Sequence, residues 1–206
     1  MGYLRSRFKR HAAAMLQTRL LPSRPRFAMR LVETPTPPEE SSLRETIIDP
    51  LEFRRVLGSY PTGVCVITAL DVDGNPVGMV VGTFTAVSLD PPLVGFLPDK
   101  KSSSWPLIEQ AGRFCVNVLA SDQQAVCRQV SGKGPGKFTG LDLRISEHDL
   151  PVIAGAIARI ECTIHSVTEA GDHWFVLGNV LGMESTRDDD PMLFHRGRYG
   201  GFADLG

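Results

Sequence analysis

The sequence lacks the cysteine patterns that mark metal centres and disulfide-rich folds. Its four cysteines stand far apart, at positions 65, 115, 127 and 162, and no CxxC pair is present. Zinc sites use closely spaced pairs of ligands, so the sequence predicts no metal site. Three of the four cysteines fall inside apolar runs, where a free thiol behaves as a small buried hydrophobe. We therefore expect a reduced, cytoplasmic protein.

Long apolar runs and the common nucleotide-binding motifs are also missing. No stretch approaches the run of about 20 apolar residues that spans a bilayer, so no membrane association is expected. No GxGxxG turn follows a first strand, which argues against a dinucleotide-binding doubly wound sheet. The loop SGKGPGKF (131–138) lacks the GxxxxGK[ST] spacing of a P-loop, and we interpret it as a mobile loop.

Charge is unevenly distributed along the chain. The formal net charge is −1, but residues 1–42 hold eight Arg or Lys and three Glu, which leaves 14 basic and 20 acidic residues in the rest. A domain with this excess of acidic residues is repelled by the phosphate backbone of a nucleic acid, so we expect no nucleic-acid binding. We interpret 1–42 as a disordered basic extension with a Pro-rich linker, although an organellar presequence or a basic surface helix has a similar composition. The folded domain is predicted to be 43–206.

Local signals predict many short strands and few helices. A helix is expected between Asp49, as N-cap, and Gly58, with others starting near Ser104 and after an N-cap at Ser121. The Asp73-Gly74 turn predicts a hairpin. Many short strands with few helices favour a mostly β, antiparallel barrel. Strands are predicted over 63–70, 77–81, 93–97, 113–119, 157–167, 174–180 and 192–194.

The run 157–167 shows the clearest alternation. Ile160, Cys162 and Ile164 would share one face, which we expect in the core. The opposite face would be exposed to solvent. It would carry Arg159, Glu161, Thr163 and His165.

Three segments carry residues suited to binding a flavin nucleotide. In VVGTFTAVSLDPP (80–92), glycine allows close backbone approach to a ring edge, and threonine hydroxyls suit a ribityl chain. In PDKKSSSWP (98–106), lysines and serines before a helix suit a phosphate, and Trp105 could cover the ring system or anchor the helix. In AGDHWFVLGNV (170–180), His173 could hydrogen-bond a nicotinamide amide. Taken alone, each segment is a weak signal, and a structural role is the commoner explanation of such residues.

Taken together and in order, the segments resemble a known family. The chain carries FRRVLGSYPTGVCVIT, GMVVGTFTAVSLDPPLV, SSSW, GRFCVNVLASDQ, KFTG, ARIECTIHSV, GDHWFVLGNV and PMLFHRGRYGGF, which together run from about Phe53 to Phe202. This pattern is similar to the flavin reductase components of two-component monooxygenases, which are FMN-binding split-barrel proteins.

The resemblance implies the following expectations. The fold would be a six-stranded antiparallel Greek-key split β-barrel with a few short helices, assembled as a homodimer. FMN or FAD would bind at the dimer edge, with NADH or NADPH as hydride donor, and a flavin-dependent monooxygenase would receive the reduced flavin. His173 would be the residue near the nicotinamide. The implied flavin-site residues are Val80, Val81, Gly82, Thr83, Phe84, Ala86, Val87, Lys101, Ser102, Ser103, Phe138 and Tyr199.

One departure leaves the flavin open. Many relatives have Thr-Ala-Asn-Ser or a similar run where this chain has Val80-Val81-Gly82-Thr83. Without the Asn amide and one hydroxyl, contacts there would be mainly to backbone, so FMN and FAD both remain. A flavin-binding sensor or carrier, a flavin-dependent oxidase and a structural β-barrel module remain as alternatives.

Overall fold

Strands outnumber helices in the computed structural model, which describes residues 47–134 and 136–206. The predicted extension 1–42 and residues 43–46 therefore lie outside the described residues. Three helices are described: α1 (Pro50–Leu57), α2 (Trp105–Ala111) and α3 (Gln124–Val130). The described strands are β1 (Thr62–Gly63), β2 (Cys65–Leu70), β3 (Pro76–Val81), β4 (Thr85–Leu89), β5 (Pro92–Phe96), β6 (Arg113–Val118), β7 (Leu143–Ile145), β8 (Pro151–Ile153), β9 (Ala158–Ala170), β10 (His173–Ser185), β11 (Leu193–His195) and β12 (Arg198–Gly200).

Seven strands form one antiparallel sheet in the order β3-β2-β6-β9-β10-β5-β4. Val81 of β3 and Phe96 of β5 belong to the same buried cluster, although their strands lie near opposite ends of that order. The sheet must therefore curl around one core. The mostly β, antiparallel prediction is confirmed. The count of six strands is not, since the main sheet has seven.

Aromatic side chains fill the centre of this core. Phe96 makes edge-on contacts with Trp105 of α2 and with Phe114 of β6, at ring-centroid distances of 5.8 and 5.2 Å. Such edge-to-face pairs add to the free energy gained by burying the rings. They fix α2 against the sheet, and with it the loop that precedes α2.

Helix α1 begins as the sequence predicts. The Asp49 carboxylate accepts hydrogen bonds from the backbone N–H groups of Leu51 and Glu52, both at 3.3 Å, and Gly58 ends the helix. The predicted N-cap at Ser121 is wrong, since α3 starts at Gln124 after Gln123. The Ser121 N–H instead donates to the Asp190 carbonyl, and Asp122 pairs with Arg187. Residues 121 and 122 therefore bind the segment 187–190 instead of capping the helix.

The predicted solvent face of β9 is also partly wrong. Glu161 is only 2% exposed. Its carboxylate accepts a hydrogen bond from Ser146 at 2.9 Å and contacts His148 and Arg159. The segment between β7 and β8 covers this face of the strand. The contact was not predictable from the sequence around Glu161, because Ser146 and His148 lie in a different part of the chain. The small sheet β7-β8 was not predicted.

A third sheet has the order β1-β11-β12 and packs near a second buried cluster that includes Phe138 and Met192. No helix among the described residues is long and apolar enough to cross a membrane.

Candidate functional site

The loop before α2 is hydrogen-bonded to the turn before β10. The Lys100 N–H donates to the Asp172 carbonyl at 3.0 Å, and the Trp174 N–H donates to the Pro98 carbonyl at 2.9 Å. Asp99 and His173 form an isolated antiparallel bridge. Because β5 and β10 are neighbours in the sheet, the end of one meets the start of the other. The second and third segments singled out in the sequence therefore meet.

His173 is oriented by the residue before it. It is the first residue of β10, and its side chain is 37% exposed. Its Nδ1 lies 2.7 Å from Asp172 Oδ1. This hydrogen bond, together with the charge attraction between the two side chains, lowers the pKa of the Asp172 carboxyl below its ordinary value. With Nδ1 held by the carboxylate, Nε2 is the ring nitrogen free to meet a ligand.

The first segment is attached to the same place through Thr83. The Leu97 N–H donates a hydrogen bond to Thr83 Oγ1 at 2.9 Å, and the Thr83 hydroxyl in turn donates to the Leu97 carbonyl oxygen at 3.3 Å. This hydroxyl is thus engaged by the chain itself. A ligand beside Gly82, Thr83 and Phe84 would meet mainly backbone, as the sequence suggested.

Ala86 and Val87 lie on the exposed edge strand β4. The pairing of β4 with β5 shifts register between Ala86 and Ser88, so Val87 has no partner in the ladder. Such a bulge bends the edge strand beside the loop 82–84. Val80 and Val81 end β3, with Val81 buried in the main core and Val80 lining the cleft described next.

Two loops enclose a cleft of about 290 Å³ with three lysines in its lining. Lys101 comes from the loop before α2, and Lys133 and Lys137 come from the segment after α3. No carboxylate is among the lining residues described. We call this the lysine cleft. Its other lining residues are Met79, Val80, Ser102, Ser103, Ser104, Val130, Ser131 and Gly132.

Hydrogen bonds within the lysine cleft hold its walls together. Ser102 Oγ accepts from the N–H groups of Ser104 and Trp105, both at 3.3 Å. Lys137 Nζ donates to Ser104 Oγ at 3.1 Å, which joins the two loops. Cations and hydroxyls converging on one concave surface suit a phosphate group.

Lys133 and Lys137 are not among the site residues predicted from the sequence. Their segment lacks the spacing of a P-loop and carries no other motif that would single out the lysines. Both lysines line the cleft together with the serine loop, and α3, which precedes them, packs beside β3. The predicted mobility of this loop stays a prediction.

A family comparison decides which kind of protein carries this arrangement. Residues 57–203 match the flavin reductase like domain. The chain belongs to this family.

Individual relatives agree with that assignment. A flavin reductase from Pseudomonas putida is 56% identical over 156 residues, which cover 76% of this chain and 92% of the relative. The reductase subunit HsaB of a flavin-dependent monooxygenase from Rhodococcus jostii is 47% identical over 75% of this chain and 78% of its own length. The NADH:FAD oxidoreductase SgcE6 of Streptomyces globisporus, solved with NAD and FAD fragments, has a TM-score of 0.72 at 36% identity and covers 77% of this chain and 98% of that one.

Two aromatic residues, Trp105 and Tyr199, make contacts within the protein itself. Trp105 is buried in the main core against Phe96, so it anchors α2, and the alternative that it covers a ring system is wrong. Tyr199 lies in β12, where its hydroxyl accepts a hydrogen bond from the Cys127 thiol at 3.3 Å. That bond and partial burial raise the pKa of Tyr199. Tyr199 does not line the lysine cleft.

Phe138 lines a second, larger cavity of about 730 Å³. Its ring is mostly buried and packs on Gly78 of β3. This adjoining cavity shares Ser103, Ser104 and Lys137 with the lysine cleft. The structure therefore brings the three segments and Phe138 together. Tyr199 lines neither cavity but packs against the buried cluster that contains Phe138. Among the described residues, no group of three His, Cys, Asp or Glu side chains could hold a metal ion.

Proposed function

We propose that this chain is a flavin reductase that uses NADH or NADPH to reduce FMN or FAD and supplies the reduced flavin to a partner monooxygenase. The observation that carries the proposal is the lysine cleft, which lies beside the loop that is hydrogen-bonded to the Asp172–His173 turn. A relative at 47% identity is the reductase subunit of a flavin-dependent monooxygenase, which supports such a partner.

Each part of the site has a separate task. Lys101, Ser102 and Ser103 hold the flavin phosphate by charge and hydrogen bonds. The backbone of 82–84, with Ala86 and Val87 on β4, lies along the ring edge. A bound flavin supplies the acceptor for the two electrons of a reduced nicotinamide. His173, held by Asp172, positions the nicotinamide amide through its free nitrogen. Phe138 and Tyr199 contribute from the periphery of the site.

The sheet supports the split-barrel architecture that the family implies. Buried residues of the main core come from β2, β3, β5, β6, β9 and β10, and none comes from β4. Those six strands form the barrel wall, and β4 extends it at one edge. The fold would be the Greek-key split barrel of the family.

A homodimer is part of the proposal, because β4 and β10 expose large apolar side chains. These are Val87, Leu89, Leu181 and Met183. Strands β4 and β10 are separated only by β5 in the sheet, and exposed apolar groups grouped in this way are typical of a surface that a second subunit covers. We also propose a cytoplasmic location, since all four cysteines are free.

The decisive experiment follows the absorbance of reduced nicotinamide, with NADH and NADPH offered separately, in the presence and absence of FMN or FAD. Oxidation that requires added flavin and saturates with it supports the proposal. Stoichiometric flavin binding without nicotinamide consumption would identify a sensor or carrier instead. Turnover of an organic substrate with oxygen, but without a flavin acceptor, would identify an oxidase.

The role of His173 is tested by His173→Ala at saturating flavin. We expect kcat/KM for the nicotinamide to fall about tenfold, because the substitution removes one oriented hydrogen bond. His165→Ala is the control, since His165 is exposed on β9 and lines neither cavity. Equal rates in the two variants would contradict the role.

A further inference from the structure

We infer that this site is built for FAD rather than FMN, with the ADP part of FAD in the adjoining cavity and Lys137 at its pyrophosphate. The inference rests on the proposed function only in taking the ligand to be a flavin. Lys137 lies outside the flavin-site residues that the sequence implies.

Lys137 lies between two cavities. Lys137, Ser103 and Ser104 line both the lysine cleft and the adjoining cavity. Lys137 Nζ lies 3.1 Å from Ser104 Oγ, so the charge stands where the two spaces join. FMN ends at one phosphate, whereas FAD carries two linked phosphates between two large groups. A lysine at a junction suits the second arrangement.

Neither Lys100 nor Lys101 lines the adjoining cavity. Lys100 is drawn away from the lysine cleft, because its Nζ lies 4.8 Å from the centre of the Trp174 ring and 3.4 Å from a Glu169 carboxylate oxygen. Lys101 serves the first phosphate, next to Ser102. Lys137 is then the cation closest to where a second phosphate would enter the adjoining cavity.

The lining of the adjoining cavity combines apolar and polar side chains. Leu107, on α2, is apolar and 39% exposed, and Val77 and Phe138 add further apolar surface. Asp71 and Asn75, which are hydrogen-bonded to each other, add a carboxylate and an amide to the lining. Apolar walls with a few polar groups suit an adenine ring and a ribose. At about 730 Å³ the cavity lies within the usual size range of small-molecule sites.

Riboflavin, FMN and FAD form a natural test series, because they carry no, one and two phosphates. Their dissociation constants are measured by equilibrium dialysis without nicotinamide, so the result does not depend on catalysis. For the unaltered chain we expect FAD to bind more tightly than FMN. Lys137→Met should weaken FAD binding about tenfold, since a charge-assisted hydrogen bond to the second phosphate is lost, and should leave FMN within about twofold and riboflavin unchanged. Lys137→Arg should restore most of the affinity.

Leu107→Glu tests the adjoining cavity. A carboxylate there would repel a pyrophosphate, so FAD should bind at least about tenfold more weakly while FMN stays within about twofold. Val72→Glu is the matched control, because Val72 is 75% exposed and lines neither cavity. Unchanged riboflavin binding in every variant confirms that the fold is intact.

Two results would overturn the inference. One is equal affinity for FMN and FAD together with no effect of Leu107→Glu on either. The other is a Leu107→Glu variant that binds NADH more weakly but FAD normally, which would give the cavity to the ADP part of the nicotinamide cofactor. Absence of nicotinamide oxidation would contradict the proposed function but would leave these titrations standing.

Discussion

Asp172 and His173 form a pair in which one residue prepares the other for ligand binding. Asp172→Asn keeps the size of the side chain but removes the charge that holds the imidazole. We expect kcat/KM for the nicotinamide to fall about threefold to tenfold, with the KM for flavin unchanged. Steady-state kinetics with each substrate varied in turn checks this. A rise in flavin KM alone would contradict a positioning role.

The pH dependence of the same pair follows from the pKa of Asp172. The hydrogen bond from His173 lowers this pKa in the folded protein. The stabilisation is therefore present above the unfolded pKa of about 3.9 and is lost as pH falls through the lower folded value. Any difference in Tm between the unaltered chain and Asp172→Asn should therefore shrink as the pH falls through the range in which Asp172 becomes protonated.

Single residues were predictable where the signal was local. Asp49 was predicted as an N-cap because its partners are two and three residues away. Lys137 was missed because its partner, Ser104, lies 33 positions earlier in the chain. Glu161 was placed in solvent by strand alternation, yet its partners come from a segment that covers the strand. Contacts between distant residues leave no mark in a sequence window.

At the scale of elements, β2 and β3 approach so closely that Gly78 has no room for a side chain. A Cβ there would lie 2.4 Å from the Ile67 carbonyl oxygen and 2.8 Å from the Phe138 ring. Gly78→Ala must therefore displace backbone or the ring, at a cost of about 2 kcal/mol in the free energy of unfolding. It should also alter flavin binding, because Phe138 lines the adjoining cavity.

Gly63→Ala is the matched control for that substitution. Gly63 also lies in a strand, but nothing is found within 4 Å of the position its Cβ would take. Urea unfolding of both variants measures the difference. Equal midpoints would show that the sheet adapts to the added methyl group and that Phe138 is not fixed by Gly78.

Elements with strong local signals were predicted, while those that depend on pairing were not. The Asp73-Gly74 turn does join β2 and β3, and His173 does open β10. Strands β7, β8 and β12 are three residues long each, too short to show a period. Strands β9 and β10 extend beyond their predicted ends, because the two strands stay paired with each other over their whole length.

At the scale of the whole molecule, sheet order explains how three weak segments become one site. The end of β3, the end of β5 and the start of β10 lie far apart in the sequence. Thr83 joins the first to the second, and the Asp99–His173 bridge joins the second to the third. The sequence could suggest this meeting only through family resemblance, because no local pattern encodes which strands become neighbours.

Three cysteines buried in the core make the stability of the protein sensitive to alkaline pH. Burial raises the pKa of Cys65, Cys115 and Cys162 to about 12, against an ordinary thiol value of about 8.5. The unfolded chain therefore loses these protons first as pH rises. Their contribution to stability is fully present below about pH 8.5 and declines as pH rises toward the folded pKa.

Urea unfolding at neutral pH and at increasing alkaline pH measures this effect. We expect the free energy of unfolding to fall steadily above the ordinary thiol pKa, and to fall less steeply in Cys65→Ala, which removes one of the three groups. The same burial should keep these thiols unreactive toward an aromatic disulfide reagent until the chain unfolds. Rapid labelling of Cys65 in the native protein, or a Cys65→Ala variant with an unchanged alkaline slope, would show that this part of the core opens to water.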